Sequence, residues 1–246
     1  MPRCIGGAMP HVMQGHIVIC GWSETARGVI EQLHSDDGDP RRQIVLIDPH
    51  LDHCPIDDPY VYYIKGDATL DETLRRADVA TAETAIVLTD WSLADPGLRD
   101  AKTTLITLAI ENHNRDVYTV VELMRSENRR HLERVDVDEP ICVSDLSQRL
   151  LVHAALNHGL SRFFASILEF GEGSEIYKAK APAALVGKTF RQAVALVSDQ
   201  FEGIVLAVDR GGEIHCNPQG SFTLAAGDEL FLLSEEFPHA LVDYKG

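Results

Sequence analysis

The first 145 residues alternate short, wholly apolar segments with segments of helical periodicity, and this alternation constrains the fold most. The apolar segment 16–21 (HIVICG) runs into a helical pattern over 23–33. Further apolar segments are 43–47, 60–65, 84–89, 117–123 and 140–143, and further helices are predicted over 69–77, 97–112 and 126–134. Strands that are apolar on both faces are typical of a parallel sheet covered by helices. The sequence therefore predicts an α/β fold, a Rossmann-like parallel sheet over residues 16–145.

The next segment, 146–164, is apolar over most of a helical circumference and is interrupted at Gly159. Its apolar residues include Leu146, Leu150, Leu151, Ala154, Ala155, Leu156, Leu160, Phe163 and Phe164. Such a helix needs partner surfaces on more than one side. We expect crossover helices that join lobes or subunits; the alternative is an ordinary terminal helix of the sheet.

Residues 165–246 read as a small α+β lobe, because short apolar segments alternate with glycine-rich turns. Strands are predicted over 166–170, 176–179, 203–209, 213–217 and 229–233, with a helix over 185–197. Residues 1–15 contain two prolines and several glycines, and read as a flexible arm or a truncated linker.

Composition excludes several classes of function. The formal net charge of −16 argues against nucleic acid and anionic membrane surfaces as partners, since both require clustered Lys and Arg. Five scattered cysteines without a CxxC pair favour a reducing, cytoplasmic compartment. No apolar stretch approaches the ~20 residues that span a bilayer, so no direct membrane insertion is expected. The sequence contains none of the common motifs of nucleophilic, zinc-dependent or phosphate-transfer catalysis. This favours a ligand-sensing protein over an enzyme.

The turn after the first strand is the first candidate ligand site. Dinucleotide folds carry GxGxxG here, whereas this chain has Gly21, Trp22, Ser23, Glu24, Thr25 and Ala26. Ser23 hinders close approach of a pyrophosphate, and Glu24 places negative charge at the positive end of the helix. The fold is therefore supported, and the phosphate site is weakened.

Acidic residues follow several of the predicted strands. Asp48 stands where a dinucleotide fold binds ribose hydroxyls, or is a solvated strand-end carboxylate. Asp67, in the turn with Ala68 and Thr69, and then Asp90 and Glu122, fall at the same sheet edge. Converging carboxylates favour a bound cation such as Ca²⁺, although strand ends are often acidic without one.

These residues together resemble a known family. The string 16–24, the Gly66–Thr69 turn, Val120 to Glu122 and the apolar helix are similar to RCK domains, the regulators of potassium conductance. The likeness is strongest to the gating-ring domains of calcium-gated archaeal potassium channels. Residues 185–188 and 226–230 resemble the C-terminal lobe of RCK and TrkA-type proteins.

The resemblance implies a cytoplasmic, ligand-sensing gating module at the inner face of the membrane. Such domains pair through their crossover helices, here 146–164, and form a ring beneath a potassium-channel pore; the resemblance implies an octameric ring. Ligand binding then changes the hinge of each dimer and thereby gates the pore.

The resemblance also implies a metal site. Asp67 and Glu122 match two carboxylates of the family's calcium site, and Met124 replaces the third. Losing a carboxylate weakens calcium binding, so another divalent cation or a nucleotide (NAD, ADP, ATP or AMP) remains open. The alternatives are a nucleotide-binding subunit of a Trk/Ktr-type potassium transporter and an NAD-linked oxidoreductase.

Overall fold

The computed structural model describes residues 13–35, 39–135, 137–168, 173–242 and 244. The chain divides into two compact units between Leu156 and Asn157. The predicted flexible arm lies almost wholly outside the described residues, and its character stays a prediction.

The first unit contains a six-stranded parallel sheet in the order β3-β2-β1-β4-β5-β6. Its strands are β1 (Ile17–Cys20), β2 (Ile44–Asp48), β3 (Val61–Lys65), β4 (Thr84–Val87), β5 (Tyr118–Leu123) and β6 (Glu139–Cys142). The strand order reverses between β1 and β4, which opens a crevice at the carboxyl edge of the sheet. The predicted Rossmann-like α/β fold is confirmed.

Both faces of this sheet are buried. Consecutive residues of a strand point to opposite sides of the sheet, so each strand contributes to an apolar layer on either side. Ile17, Ile19 and Ile44 pack in one apolar layer, whereas Val18 and Val45 pack in the other. The helices of this unit are α1 (Glu24–Leu33), α2 (Asp71–Arg76), α3 (Pro96–His113), α4 (Arg129–Leu132) and α5 (Val143–Leu156). The α-helix predicted over 126–134 is only four residues long and is flanked by 3₁₀ turns.

Helix α5 differs from the other helices of the first unit because none of its residues is buried. Leu151 and Leu156 are 70% and 74% exposed, and Leu146 and Val152 are exposed as well. The first unit by itself therefore leaves this apolar helix without a covering surface.

The second unit contains a four-stranded antiparallel sheet in the order β7-β10-β8-β9. Its elements are α6 (Leu160–Leu168), β7 (Glu175–Lys180), α7 (Phe190–Phe201), β8 (Ile204–Arg210), β9 (Glu213–Cys216), β10 (Glu229–Ser234) and α8 (His239–Val242). This agrees with the predicted small α+β lobe.

Two predictions for the second unit need correction. The strand predicted over 166–170 is wrong, because Ser166 to Leu168 end helix α6; residues 169 and 170 lie outside the described residues. Apolar residues at 160, 163, 164, 167 and 168 continue a helical spacing. The helix predicted from 185 begins at Phe190, since Thr189 and Gln192 form a capping box.

Helices of membrane-spanning length and apolar character do not occur in the described part of the chain.

Candidate functional site

A small cleft with a cavity volume of about 30 Å³, partly open to solvent, lies at the carboxyl edge of the parallel sheet. Six of the predicted ligand-binding residues line it, namely Gly21, Trp22, Asp48, Asp67, Ala68 and Asp90. Ser23, Glu24 and Thr69 do not line it, and neither does Glu122. Lys102 and Ile106 of α3, which the sequence did not indicate, complete part of the wall.

The turn after β1 requires a glycine. Gly21 has a φ of +98°, and a Cβ atom there would lie 3.3 Å from the carbonyl oxygen of Leu88. Its N–H donates to the carbonyl of Ile47 at 2.9 Å. The turn is therefore held close to both neighbouring strands.

Ser23 caps helix α1, because its Oγ accepts a hydrogen bond from the N–H of Ala26 at 3.3 Å. Glu24 lies in the first turn of α1 and pairs with Arg27 at 3.7 Å. A pyrophosphate would need free N–H groups and positive potential at this helix end. The turn is therefore less suited to a dinucleotide pyrophosphate than a glycine-rich turn would be.

Asp48, at the end of β2, is 6% exposed and accepts three backbone hydrogen bonds. Its Oδ2 accepts from the N–H of Trp22 at 3.0 Å, and its Oδ1 accepts from the N–H groups of His50 and Leu51 at 2.7 and 3.1 Å. A ribose hydroxyl would have to share these oxygens with the backbone. The carboxylate therefore connects the glycine turn to the loop after β2.

Asp67 follows β3 and organises its own turn. Its Oδ1 accepts from the N–H and the hydroxyl of Thr69, both at 2.9 Å. The side chain remains half-buried at the cleft wall, next to the buried Ala68.

Asp90, after β4, forms the closest ion pair of the cleft. The Nζ of Lys102 donates to its Oδ2 at 2.6 Å, and Ser92 donates to its Oδ1 from N–H and Oγ at 2.9 and 2.6 Å. Burial alone would raise the pKa of Asp90, but the bonds from Lys102 and Ser92 outweigh it and hold the pKa at about 2. Asp90 is therefore ionised near neutral pH.

The predicted metal ligands Asp67 and Glu122 lie at different places along the sheet. Strands β2, β1 and β4 lie between β3, which precedes Asp67, and β5, which contains Glu122. Asp67 lines the cleft, whereas Glu122 does not. The pairing of these two carboxylates around one ion stays a prediction.

Glu122 and Met124 have other contacts. Glu122 is buried, and its Oε2 accepts from the N–H of Thr89 at 2.8 Å. The N–H of Met124 donates to Oδ1 of the buried Asp100 at 2.8 Å. Among the described residues, no group of three His, Cys, Asp or Glu side chains is arranged to hold a metal ion.

Two important side chains of α3 were missed by sequence reasoning. Asp100 also accepts from the N–H of Arg125 and from Nδ2 of Asn128, so it holds the loop after β5. One feature of the sequence could have indicated Asp100: this carboxylate has helical spacing with Thr103 and Ile110, on the face of α3 that is buried. Lys102 gave no local signal, since its partner lies twelve residues earlier in another element.

Comparison with known proteins identifies the family. Residues 17–143, more than half of the chain, match the TrkA-N domain. The chain belongs to the TrkA-N family. Residues 144–241 match a second family, described as Castor and Pollux, part of voltage-gated ion channel. The TrkA-N match covers the parallel sheet, and the second match covers α5 to α8 with the antiparallel sheet.

The relatives of this TrkA-N chain include potassium channels. It is 26% identical to the calcium-gated potassium channel TvoK of Thermoplasma volcanium, over 93% of this chain and 65% of the relative. It is 22% identical to the calcium-activated potassium channel slo-1 of Caenorhabditis elegans, over 87% of this chain and 23% of the relative. The chain thus spans less than two thirds of each of these relatives.

Among solved structures, the human SLO3 gating ring superposes with a TM-score of 0.72 at 20% identity. The superposition covers 90% of this chain and 44% of the SLO3 chain. The TrkA-N chain therefore has the fold of an RCK gating-ring domain.

Proposed function

We propose that this chain is the ligand-sensing, gating-ring module of a potassium channel, positioned at the cytoplasmic face of the membrane beneath the pore. The observation that carries the proposal is the similarity to TvoK, which extends through both units over 93% of the chain. The mechanism is regulatory rather than enzymatic. A ligand gates the pore only to the extent that it binds one state of the ring better than the other.

Self-association through residues 146–164 is the first part of the proposal. Leu151 and Leu156 of α5, and Phe163 and Leu168 of α6, are all more than half exposed. Burial of one leucine side chain contributes about 1.5–3 kcal/mol. A dimer that covers both helices, and a ring assembled from dimers, would remove these side chains from water.

A ligand in the carboxyl-edge cleft is the second part. Asp48, Asp67 and Asp90 give the wall an excess of negative charge over the single Lys102. Such a wall favours a divalent cation and disfavours a phosphate group. Calcium is the first candidate, because the name of TvoK records calcium gating for that protein.

A nucleotide is the second candidate ligand, since open α/β sheets bind ligands where the strand order reverses. The reversal between β1 and β4 lies at this cleft. A thermal-shift panel with Ca²⁺, Mg²⁺, NAD, ADP, ATP and AMP separates the candidates. A ligand at 100 times its dissociation constant adds about 2.7 kcal/mol to folding stability.

Sedimentation velocity tests the association. The Leu151→Glu/Leu156→Glu variant should sediment as a monomer where the unmodified chain forms dimers or larger rings. Gln148→Glu, an exposed polar position of the same helix, is the matched control and should associate normally. A strict monomer of the unmodified chain at high concentration, with and without ligand, would contradict the proposal.

A chimaera tests the gating function directly. The region of TvoK that matches this chain is replaced by it, and potassium currents are recorded in planar bilayers. We expect currents whose open probability depends on a ligand from the panel. Currents that no ligand of the panel changes would refute the regulatory role, and turnover of NAD(H) by the chain would favour the oxidoreductase alternative.

A further inference from the structure

Helix α5 is attached to the first unit at its base. None of its residues is buried, and it begins at Val143, directly after Cys142, the last residue of β6. Packing against the core therefore cannot set the direction of this helix, and the contacts of its first turn do so instead.

Ser144, in that first turn, is hydrogen-bonded to the loop after β5. Its Oγ donates to the carbonyl of Met124 at 3.0 Å. A largely open cavity of about 360 Å³ adjoins this contact, and residues of both segments line it, among them Arg125, Glu127 and Asp145. Because the two segments are not tightly packed here, hydrogen bonding rather than side-chain packing joins them.

The loop after β5 is held in turn by Asp100, a buried carboxylate of α3 with 2% of its surface exposed. Its Oδ1 accepts from the N–H of Met124 at 2.8 Å, and its Oδ2 accepts from the N–H of Arg125 and from Nδ2 of Asn128 at 3.1 and 2.7 Å. Met124 is therefore bonded to α3 through its N–H and to α5 through its carbonyl.

We propose that Asp100 is a positioning residue for self-association. Through Met124 and Ser144 it fixes the direction in which α5 leaves the sheet, and so it places Leu151 and Leu156 for contact with a second copy of the chain. Asp100 is too deeply buried to contact that copy itself. The inference rests on the proposed self-association through residues 146–164.

The length of α5 amplifies any change at its base. The helix has 14 residues and is therefore about 21 Å long. A tilt of about 10° at the base would move the far end, which carries Leu156, by about 3.6 Å. A gap of about 0.5–1 Å already removes a quarter to a half of the van der Waals attraction between two surfaces. Small changes in the hydrogen bonds of Met124 therefore translate into a loss of contact between copies.

The dissociation constant of the dimer, measured by sedimentation equilibrium over a dilution series, tests the inference. Asp100→Asn places an amide donor opposite backbone N–H groups, and the dissociation constant should rise by about tenfold or more. Ser144→Ala removes the hydrogen bond to the carbonyl of Met124 and should raise it by about fivefold. In both variants a helix of less defined direction has to be ordered when two copies meet.

Three further variants make the result specific. Asn114→Ala removes two hydrogen bonds at the other end of α3, to the carbonyls of Val79 and Ala82 at 3.0 and 3.1 Å, and should leave the dissociation constant unchanged. Ser144→Thr retains the hydroxyl and should associate like the unmodified chain. The double variant Asp100→Asn/Ser144→Ala should associate no more weakly than Asp100→Asn, because both substitutions break the same linkage.

Unchanged association in a folded Asp100→Asn or in Ser144→Ala, an equal loss in Asn114→Ala, or additive losses in the double variant would overturn the positioning role. If Asp100→Asn fails to fold by circular dichroism, Asn128→Ala, which removes one donor to Asp100, is judged with Ser144→Ala by the same criteria. An unmodified chain that remains monomeric would refute the self-association itself. An unmodified dimer whose variants associate equally well would refute this inference alone.

Discussion

Replacement of Asp48 by Asn distinguishes a ribose acceptor from a structural carboxylate. An Asn side chain keeps one acceptor oxygen and replaces the other by a donor, so either the Trp22 bond or the His50 and Leu51 bonds are lost. A hydrogen bond to a charged group contributes about 1.5–3 kcal/mol, and an unpaired buried donor costs about as much. We expect the free energy of unfolding to fall by about 2–4 kcal/mol.

Urea unfolding followed by tryptophan fluorescence is suited to this measurement. The chain contains two tryptophans, Trp22 and Trp91, and both belong to the parallel-sheet unit. The fluorescence therefore follows the unit that contains Asp48, while the second unit stays silent at this wavelength.

Asp67→Asn is the matched control. Both hydrogen bonds that Asp67 accepts from Thr69 go to a single oxygen, which an Asn side chain retains. Its free energy of unfolding should change by less than about 0.5 kcal/mol. If Asp48→Asn is as stable as this control but loses nucleotide binding, Asp48 is a ribose acceptor and the structural argument is wrong.

Three further substitutions test other parts of the chain. Gly21→Ala should cost about 1–3 kcal/mol in the same urea assay, because an alanine would be strained at a φ of +98°; no loss would show that the turn relaxes. Arg210→Met removes the partner of Asp228, whose side chain is 1% exposed and accepts from Nε and Nη2 at 2.8 and 2.7 Å. Allowing for the exposed guanidinium, we expect a loss of about 2–4 kcal/mol in the second unit, measured by hydrogen exchange; unchanged protection of β8 and β10 would contradict this. Burial lowers the pKa of His16 below its usual 6.5, so the unfolded chain takes up a proton first and stability should decrease as the pH falls through 6.5. His16→Asn should reduce this decrease in urea titrations between pH 7.5 and 5, and an identical pH profile would refute it.

The strands of the parallel sheet were predictable because their signal is local. Residues 17–20 of the segment 16–21 are apolar at every position, and these residues form the observed β1. The end of helix α6 was predicted wrongly. The helical spacing of its apolar residues continues to Leu168, beyond residue 164 where the predicted helix ends. A glycine-rich sequence directly after it favoured a strand over the longer helix.

The candidate site was predictable only in part. Residues after β1, β2, β3 and β4 were expected at one sheet edge, and the cleft brings together Gly21, Asp48, Asp67 and Asp90. Glu122 also lies near this edge, but it does not line the cleft and accepts a hydrogen bond from the N–H of Thr89 instead. Lys102 and the bonding of Asp48 depend on tertiary distances, which no local pattern encodes.

Family similarity and structural contacts assign the exposed helix α5 to different parts of the chain. By family similarity it belongs with residues 144–241, whereas by its contacts it belongs to the unit that ends at Leu156. Because none of its residues is buried, this helix adds little to the core of the first unit. Fragments that end at 143 and at 156 would differ by this helix alone, and the longer one would carry the exposed leucines of α5 through which we propose that copies associate.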